Sequence, residues 1–582
     1  MSTLAAGPVG ARWLGAPPDP ADDGRRGLLA IQIDGLSYGR LVRAMRRGHM
    51  SHLRRALASR RLHLDPYLSE IPTSTPAFQA GMFYGTNDNI PGFQFYDRAE
   101  RRVFRMGLTE CANDVECGLP GSGLLAGGSV YSCVYTGGAA SSNFVFSTML
   151  APRRWRWALR AWDAVFLILL NAIAYARIFT LMGIEIVAGL YDFIRRTILG
   201  KARGRLWKEF ETVGIRAGLT VGVREAITLG ASIDLARGVP VIYLNFLGYD
   251  EHAHLRGPDS RFARWSLRGI DRCIRRLHRA AASSPRPYDL LVLSDHGQCV
   301  AKPFAMADPD ARTVTAWLRE ETGLNDAVGH ETQTRPSQAA RGVTERLVNG
   351  APPLFPSATE NLPPPSEPRP PSSAGGAGLP DPPPLTVVSS GPLGYVYFSF
   401  HDTPRDAGWI ETNHPGLLHR LAAHPGMGFV TVRADVPPAD DPGPTRRGDV
   451  LVIARGGARM TLRDGAPVER DGEFPFDEAM DPAHVHRGLW RVTLFPRAGD
   501  ICLWGGGAPA GDITFSEDRG AHSGWTDGEV EAFVMTSPGL ELDPRNLTRH
   551  ADFHRALAAR FGTAGPPAAD APKQPEPEEW AL

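Results

Sequence analysis

The sequence FLGYDEHAHLRGP, residues 246–258, directly follows the apolar run VPVIYLN of residues 239–245. A short, nearly uninterrupted apolar run is typical of a fully buried strand in an α/β sheet. Asp250, His252 and His254 come after this strand, and open α/β sheets place their sites at the carboxyl ends of strands. Because Asp250 and His254 are four residues apart, one helical turn would bring both to the same face. The stretch is therefore consistent with a metal site at a sheet edge or with a histidine-rich surface loop.

Two more apolar runs end in acidic residues. GLLAIQIDGL, residues 27–36, predicts the first strand, with Asp34 at its carboxyl end and Gly35 permitting a tight exit. YDLLVLSDHG, residues 288–297, predicts another strand that ends in Asp295 and His296, both of which can turn toward one ion there. A strand ending in Asp also occurs in dinucleotide-binding folds, but no G-x-G-x-x-G motif precedes Asp34.

A helix start is predicted in IPTSTPAFQAG, residues 71–81, with Thr75 as a hydroxyl N-cap and Pro76 at the first helical position. As a cap alone, Thr75 would have only a structural role. A hydroxyl at a helix N-terminus also lies beside free N–H groups that can hold a phosphoryl oxygen, and there it could act as a nucleophile. Asn87 and Asn89 follow in a loop, where they are candidates either for the site or for ordinary turn positions.

Length and composition limit the possible classes. A chain of 582 residues is too long for one ordinary domain. Lys+Arg and Asp+Glu are both 63, so the net charge gives no reason to expect a nucleic-acid partner. The six cysteines are scattered without a CxxC pair, which excludes a zinc-ribbon pattern and a disulfide framework. Residues 1–26 lack the apolar core of a secretory signal, so we expect a cytoplasmic protein.

Residues 155–199 are unusually apolar, in two halves separated by Arg177 and flanked by basic residues. Neither half reaches the roughly 20 residues that a membrane-spanning helix needs. The segment is consistent with a helical hairpin or interfacial helix at the inner face of the cell membrane. It is equally consistent with a helical pair packed on the globular domain or in an oligomer interface.

The predicted fold class is α/β, with helices on both sides of a central mixed, mostly parallel sheet, an inserted helical segment and a small α+β subdomain. The predicted organisation is a disordered N-terminus (1–26), a catalytic core (27–110, 236–330 and 500–545), an insertion (111–235), a Pro-rich flexible linker (331–385), a small cap-like α+β subdomain (386–499) and a disordered tail (565–582).

Five short motifs occur in a fixed order along the chain. They are Asp34-Gly35, Pro72-Thr-Ser-Thr75-Pro76, Asp250-x3-His254-x2-Gly257-Pro258, Ser294-Asp295-His296-Gly297 and Gly520-Ala-His522-Ser-Gly524. In these motifs, over residues 27–110 and 236–536, the chain resembles the alkaline phosphatase superfamily. The resemblance is closest to the type I phosphodiesterase/nucleotide pyrophosphatase branch, which implies an alkaline-phosphatase-like sheet and hydrolysis of phosphate esters.

The resemblance also implies a role for each matched residue. Thr75 would attack phosphorus and form a phospho-threonine intermediate that water then hydrolyses, with Thr73 as the competing hydroxyl. One metal would be held by Asp34, Asp295, His296 and the Thr75 oxygen, and the other by Asp250, His254 and His522, with His252 as a second-choice ligand. Two divalent ions are implied; Zn²⁺ suits this mixture of nitrogen and carboxylate ligands, and Mn²⁺ is the alternative.

One departure concerns substrate binding. The nucleotide pyrophosphatases carry a phosphoryl-binding Asn where this chain has Phe93, so that role would move to Asn87 or Asn89, or to backbone N–H groups. We expect a small phosphate-ester substrate, with phosphodiesters or pyrophosphates ahead of a phosphomonoesterase or phosphotransferase activity. A membrane-associated binding protein with little catalytic activity is the third reading. The sequence identifies neither the physiological substrate nor the oligomeric state.

Overall fold

The computed structural model describes residues 25–121, 123–148, 218–330, 382–435, 448–540 and 542–562, together with scattered positions between 176 and 194. Several predicted features fall outside these residues: the N-terminus up to residue 24, most of the apolar segment 155–199, the Pro-rich linker from 331 to 381, and the tail 565–582. No helix formed by the described residues is long and apolar enough to cross a membrane. All six cysteines are free.

Strands and helices alternate through the first half of the described chain, and short strands dominate the second half. The strands are β1 (Gly27–Ile33), β2 (His63–Leu68), β3 (Gln94–Asp97), β4 (Arg102–Arg105), β5 (Ser129–Tyr131), β6 (Ser141–Asn143), β7 (Val241–Phe246), β8 (Tyr288–Leu293), β9 (Cys299–Val300), β10 (Lys302–Pro303), β11 (Val328–His330), β12 (Thr386–Ser390), β13 (Leu393–Tyr397), β14 (Phe429–Arg433), β15 (Val450–Ala454), β16 (Arg459–Arg463), β17 (Ala466–Asp471), β18 (Ile501–Trp504), β19 (Ile513–Thr514), β20 (Gly520–Ala521) and β21 (Glu531–Thr536). The helices are α1 (Tyr38–Arg46), α2 (Ser51–Ala58), α3 (Thr75–Tyr84), α4 (Thr109–Cys117), α5 (Arg224–Ala236), α6 (Gly248–Arg256), α7 (Arg261–Ala282), α8 (Val314–Thr322), α9 (Ala407–Asn413), α10 (Leu417–Ala423), α11 (Pro482–Thr493), α12 (Asp527–Val530) and α13 (His550–Phe561).

The main sheet has the order β2-β21-β8-β1-β7-β5-β6 across the described ranges. Strand β1 lies between β7 and β8 and is parallel to both, and β5 and β6 continue the parallel arrangement. Strand β21 is antiparallel to its neighbours β2 and β8. The mixed, mostly parallel α/β fold predicted from the sequence is therefore confirmed.

The two faces of this sheet explain the uninterrupted apolar runs. Successive residues of a strand point to opposite faces. Leu28 and Ala30 pack in a core with Phe78 of α3 and Phe553 of α13, whereas the alternate residues of β1 join a second core with α1, α2, α5 and α7. Because helices cover both faces, every side chain of the central strands is buried, and apolar residues occupy nearly all positions.

A second sheet has the order β11-β12-β13-β18-β14-β15-β16-β17 in the part of the chain that is described. Helices α9 and α10 contribute to the core on one of its faces, and α11 to the core on the other. Residues 500–504 fall within the predicted catalytic core (500–545), but β18 belongs to the second sheet, where it pairs with β13 and β14. A short buried strand has the same pattern in either sheet, so its sequence does not reveal its neighbours.

Strands β5 and β6 correct a domain boundary. We assigned residues 111–235 to an insertion, yet β5 pairs in parallel with β7 and β6 pairs with β5, so both belong to the main sheet. Their sequences, SVY and SSN, are too short and too polar to give the apolar signal of a buried strand. The insertion therefore interrupts the main sheet after β6 rather than before β5.

A buried ionic network joins the two sheets around Glu70, which follows β2. Its carboxylate pairs with Arg491 of α11 and accepts hydrogen bonds from the His550 backbone N–H at 2.8 Å and from Asn87 Nδ2 at 3.0 Å. Burial alone would raise the pKa of Glu70, but Arg491 and His550 lower it to about 2. Glu70 is therefore ionised and stabilises the contact between α11, α13 and the main sheet.

We predict that Glu70→Gln lowers the free energy of unfolding by about 3 kcal/mol at pH 7, because the buried Arg491 guanidinium loses its buried carboxylate partner and keeps only the exposed Asp88, 3.0 Å away. The pKa of folded Glu70 lies below the ordinary value of 4.5, so its stabilisation is complete above pH 4.5 and is lost as the pH falls toward 2. Urea unfolding at several pH values measures both effects. Glu100→Gln, at the part-exposed Glu100–Arg102 pair, is the control and should cost at most about 1 kcal/mol. A constant difference between wild type and Glu70→Gln from pH 7 to pH 3 would contradict this account.

Candidate active site

The predicted site residues converge at one edge of the main sheet. Asp34 follows β1, Asp295 and His296 follow β8, and Asp250 and His254 lie on α6 after β7. Because β1, β7 and β8 are parallel neighbours, their carboxyl ends meet at the same edge. Helix α6 places Asp250 and His254 one turn apart on a common face, as predicted. Thr75 enters from α3 and His522 from the segment after β20.

The Thr75 hydroxyl lies among three groups of the first cluster. Its Oγ1 donates a hydrogen bond to Asp34 Oδ1 over 3.3 Å and lies 3.2 Å from His296 Nε2. His296 Nε2 is 3.3 Å from Asp295 Oδ2. One potential ligand atom from each of Asp34, Asp295 and His296 lies within 4.8 Å of the others. Thr75 is the first residue of α3, with Ser74 as the N-cap, so the helix begins one residue earlier than predicted.

A second cluster lies beside the first. Ligand atoms of Asp250, His296 and His522 also lie within 4.8 Å of one another. His254 Nε2 is 3.1 Å from Asp250 Oδ2, and His522 Nε2 is 4.0 Å from Asp250 Oδ1. The rings of His296 and His522 stack with their centroids 3.9 Å apart. The family resemblance implied that His296 belongs to one group alone, whereas in the structure its ring lies close to the ligand atoms of both groups.

Each of the three imidazoles is oriented by a backbone carbonyl. Nδ1 lies 2.9 Å from Gly520 O in His254, 2.9 Å from Gly297 O in His296 and 2.8 Å from Thr73 O in His522. A carbonyl oxygen only accepts hydrogen bonds, so each Nδ1 carries a proton and donates it. The three Nε2 atoms are thereby directed toward the carboxylates, which is the arrangement that metal-binding histidines adopt.

Two of the three carboxyl groups of the site, those of Asp34 and Asp295, retain their protons more strongly than usual. Burial, together with Asp295 and Asp250, raises the pKa of Asp34 well above its usual range. Burial raises the pKa of Asp295 to about 7, and its Oδ2 accepts no hydrogen bond from any described residue. Burial opposes protonation of His254, but Asp250 raises the pKa of this imidazole to about 10. Protons bound to Asp34, Asp295 and His254 supply positive charge that a metal ion would supply instead, and metal binding releases such protons. The set of carboxylate oxygens and Nε2 atoms therefore fits divalent cations.

The family model for the type I phosphodiesterase/nucleotide pyrophosphatase family matches residues 28–322, which is half of the chain. This chain belongs to that family. It is therefore a hydrolase that cleaves phosphoryl esters, and the family identified from the five motifs is confirmed. Membership also implies that catalysis depends on metal ions.

Comparisons with curated proteins and with solved structures assign no further property to this chain. No curated protein matches this chain in sequence. Two solved structures of phosphonoacetate hydrolase from Sinorhizobium meliloti 1021 are similar over 92% of this chain and 96% of theirs. The complex with phosphonoformate has 15% identity and a TM-score of 0.42, and the complex with phosphonoacetate has 14% identity and a TM-score of 0.41.

Two carboxamides of this family member were missed by the sequence analysis. Asn245 Nδ2 donates to Asp34 Oδ2 over 2.7 Å, and Gln298 Nε2 donates to Asp250 Oδ1. Both orient a carboxylate of the site. The available signal was weak: Asn245 is a polar residue near the end of an apolar strand, and Gln298 follows the Asp-His-Gly motif directly.

The two candidate nucleophiles occupy different environments. Thr73 Oγ1 donates to Gly524 O over 3.1 Å and accepts from the Ser523 N–H at 2.9 Å. Its hydroxyl thus holds the segment around His522, whereas the hydroxyl of Thr75 faces Asp34 and His296. Of the two hydroxyl groups, the one on Thr75 is therefore the one that faces a carboxylate and an imidazole of the site.

Asn87, Asn89 and His252 make other contacts. The Asn87 side chain donates to Glu70 and accepts from Arg491, and Asn89 Oδ1 accepts from the Arg497 N–H at 2.8 Å. The substrate-binding role of these two residues stays a prediction. His252, the second-choice ligand, is buried near Phe262, with the ring centroids 5.6 Å apart.

The second sheet reaches the site through the turn between β12 and β13. Gly391, at φ +77°, approaches so closely that an added Cβ would lie 2.2 Å from His522 O. Ser390 Oγ accepts a hydrogen bond from the Phe93 N–H at 3.0 Å. This turn therefore connects the segment of His522 with the loop where the family pattern has Asn and this chain has Phe93.

Gly35 connects the carboxylates of the two clusters. It adopts φ +68°, its N–H donates to Asp295 Oδ1 over 3.3 Å, and an added Cβ would lie 2.4 Å from Asp250 Oδ1. A side chain here would force Asp250 away from the site.

We predict that Gly35→Ala lowers both stability and turnover. Gly323→Ala is the matched control, because Gly323 has φ +70° and no atom within 4 Å of an added Cβ. Both variants lose about 1 kcal/mol for the left-handed backbone, and Gly35→Ala loses a further ~1–3 kcal/mol from the clash. Urea unfolding and phosphodiester turnover of both variants provide the measurement. Equal losses in the two variants would show that the close approach to Asp250 is unimportant.

Proposed function

We propose that this protein hydrolyses phosphodiester or pyrophosphate bonds with Thr75 as the nucleophile and two divalent metal ions, of which Zn²⁺ is favoured over Mn²⁺. The observation that carries the proposal is the position of Thr75 Oγ1, 3.3 Å from Asp34 Oδ1 and 3.2 Å from His296 Nε2. A nucleophilic hydroxyl needs a group that accepts its proton or stabilises its anion, and both clusters provide such groups.

The same residues would hold the metal ions. Asp34, Asp295, His296 and the Thr75 oxygen would form one site, and Asp250, His254 and His522 the other, with His296 near enough to both to act in either. When bound, a pair of divalent cations stabilises charge on the attacking and leaving oxygens of an in-line displacement. Asn245 and Gln298 fix the carboxylates, and three backbone carbonyls fix the imidazoles.

Helix α3 supplies the second part of the mechanism. Thr75 is its first residue, Pro76 has no N–H, and the Phe78 N–H donates to Ser74 O over 2.9 Å, so the N–H groups of Thr75 and Ala77 are the ones in the first turn without a partner in the helix. These N–H groups and the positive end of the helix dipole favour a phosphoryl oxygen at this position. In the family pattern an Asn binds the phosphoryl oxygen, but this chain has Phe93 at that position. The N–H groups of α3 would bind the oxygen instead.

The reaction then proceeds in two displacements. Thr75 Oγ1 passes its proton to Asp34 and forms a bond to phosphorus, while the bond from phosphorus to the leaving oxygen breaks and that oxygen takes the proton from Asp34. Water then attacks phosphorus, the bond between phosphorus and Thr75 Oγ1 breaks, and one proton of the water passes to Oγ1 and restores the hydroxyl. The side chain of Thr75 is largely buried, which limits access of bulk water during the first step.

We predict that Thr75→Ala lowers turnover of the p-nitrophenyl ester of thymidine 5′-monophosphate by about 10³-fold or more, because the attacking group is absent. Thr75→Ser keeps the hydroxyl and should retain most of the activity, and Thr73→Ala should lose far less than Thr75→Ala. The rate of p-nitrophenol release with Zn²⁺ or Mn²⁺ is measured for each variant, alongside release from p-nitrophenyl phosphate.

The control separates loss of the nucleophile from loss of the site. Zn²⁺ should raise the Tm of Thr75→Ala nearly as much as that of wild type, because the six carboxylate and imidazole groups remain. Metal-dependent turnover that persists undiminished in Thr75→Ala would refute the nucleophile. A higher rate on the monoester than on the diester would favour the phosphomonoesterase alternative.

A further inference from the structure

A cavity of about 360 Å³ lies between α2 and α7, away from the catalytic residues. It is lined by the loop before α2, by the first turn of α2 and by the middle of α7. Four of its lining residues are arginines: Arg55, Arg268, Arg272 and Arg275. None of these residues takes part in the catalytic geometry described above, and nothing in the proposed reaction uses them.

The positive charge of this cavity is not neutralised by ion pairs. Within the described part of the chain, none of the four guanidinium groups lies within ion-pair distance of a carboxylate; Arg268 Nε instead donates to His49 Nδ1 over 2.9 Å. Asp271 is the one acidic residue of the lining, and both of its oxygens accept backbone N–H groups, from His52 at 2.9 Å and from Leu53 at 3.1 Å. Asp271 therefore caps α2.

The sequence around the cavity also contains many more arginines than acidic residues. Residues 40–61 contain eight arginines and no acidic residue, and residues 261–279 contain seven arginines and one aspartate. The whole chain has 63 basic and 63 acidic residues, so this concentration of positive charge is local. Burial lowers the pKa of Arg275, and the nearby positive charges of Arg279 and Arg55 lower it further.

We propose that this arginine-lined cavity binds a multiply charged phosphate-bearing anion at a site separate from the catalytic one. Guanidinium groups present paired N–H donors that match phosphate oxygens, and several of them around one cavity favour a ligand with two or more negative charges. A cavity of this volume admits a pyrophosphate, a nucleotide or a phospholipid headgroup. An anion would also relieve the repulsion among the arginines.

The ligand could be a soluble phosphate compound or the headgroup of an anionic lipid, since both present the same chemistry. Exposed apolar residues in the described part of segment 155–199 are a reason to test an anionic lipid as the ligand. Ile184, Val187, Tyr191 and Ile194 are exposed and lie at helical spacing. Met182 of the same segment lies beside Gly222, just before α5, which packs on α7.

The test compares wild type with two double variants of equal charge change. Arg268→Gln/Arg272→Gln removes two arginines from the cavity, and Arg46→Gln/Arg54→Gln removes two exposed arginines of α1 and α2 that do not line it. Calorimetric titration with inorganic pyrophosphate is done in a chelator of divalent metals, so that the catalytic residues contribute no metal-dependent binding. Co-sedimentation with phosphatidylglycerol and with phosphatidylcholine vesicles forms the second arm.

We expect the cavity variant to bind pyrophosphate about tenfold more weakly than wild type, because two charge-assisted contacts are lost. The control variant should differ from wild type by about twofold at most. Sedimentation with phosphatidylglycerol alone, competed by pyrophosphate and lost in the cavity variant, would identify a lipid headgroup as the source. Pyrophosphate binding without sedimentation would identify a soluble phosphate compound. Equal weakening in both variants, or no binding of either probe by wild type, would overturn the proposal. None of these outcomes depends on turnover by Thr75.

Discussion

Three carboxyl groups that lie close together, two of them fully buried, are the constraint on which the rest of this structure depends. Asp34, Asp250 and Asp295 come from the ends of three adjacent parallel strands or the helix that follows one of them. Burial, followed by repulsion from neighbouring carboxylates, raises the pKa of Asp34 and Asp295. Such a group of charges is unfavourable without a compensating cation. The surrounding fold holds these carboxyl groups together although their proximity is destabilising. Such destabilising clusters of ionisable groups are typical of active sites.

Several parts of the fold serve this arrangement. Gly35 permits Asp250 to approach Asp295, and two carboxamides orient two of the carboxylates. Backbone carbonyls fix the tautomers of the three imidazoles, so their orientation does not depend on neighbouring side chains that could rotate. The second sheet contributes through the turn at Gly391, which rests on the segment of His522. The Glu70 network then joins α11 of that second sheet region to the main sheet.

Much of the site could be predicted because its signals are local. Apolar runs ending in Asp34 and Asp295 identify strand ends, and the four-residue spacing of Asp250 and His254 identifies a helical face. The position of His296 between the two groups could not be predicted, because it depends on the stacking of its ring with His522, which is 226 positions away in the chain. Asn245 was missed because its partner Asp34 is also distant in the chain, 211 positions away. Strand β18 was assigned to the wrong sheet because burial alone does not identify the neighbouring strand. Charge balance over the whole chain likewise concealed the arginines of α2 and α7.

The central claim is that the reaction passes through Thr75 rather than through direct attack by water. The most direct measurement is the stereochemical course at phosphorus, with a phosphorothioate diester of known configuration hydrolysed in isotopically labelled water. Two successive in-line displacements, first by Thr75 and then by water, predict net retention of configuration. Net inversion would show a single displacement by water and would contradict the account.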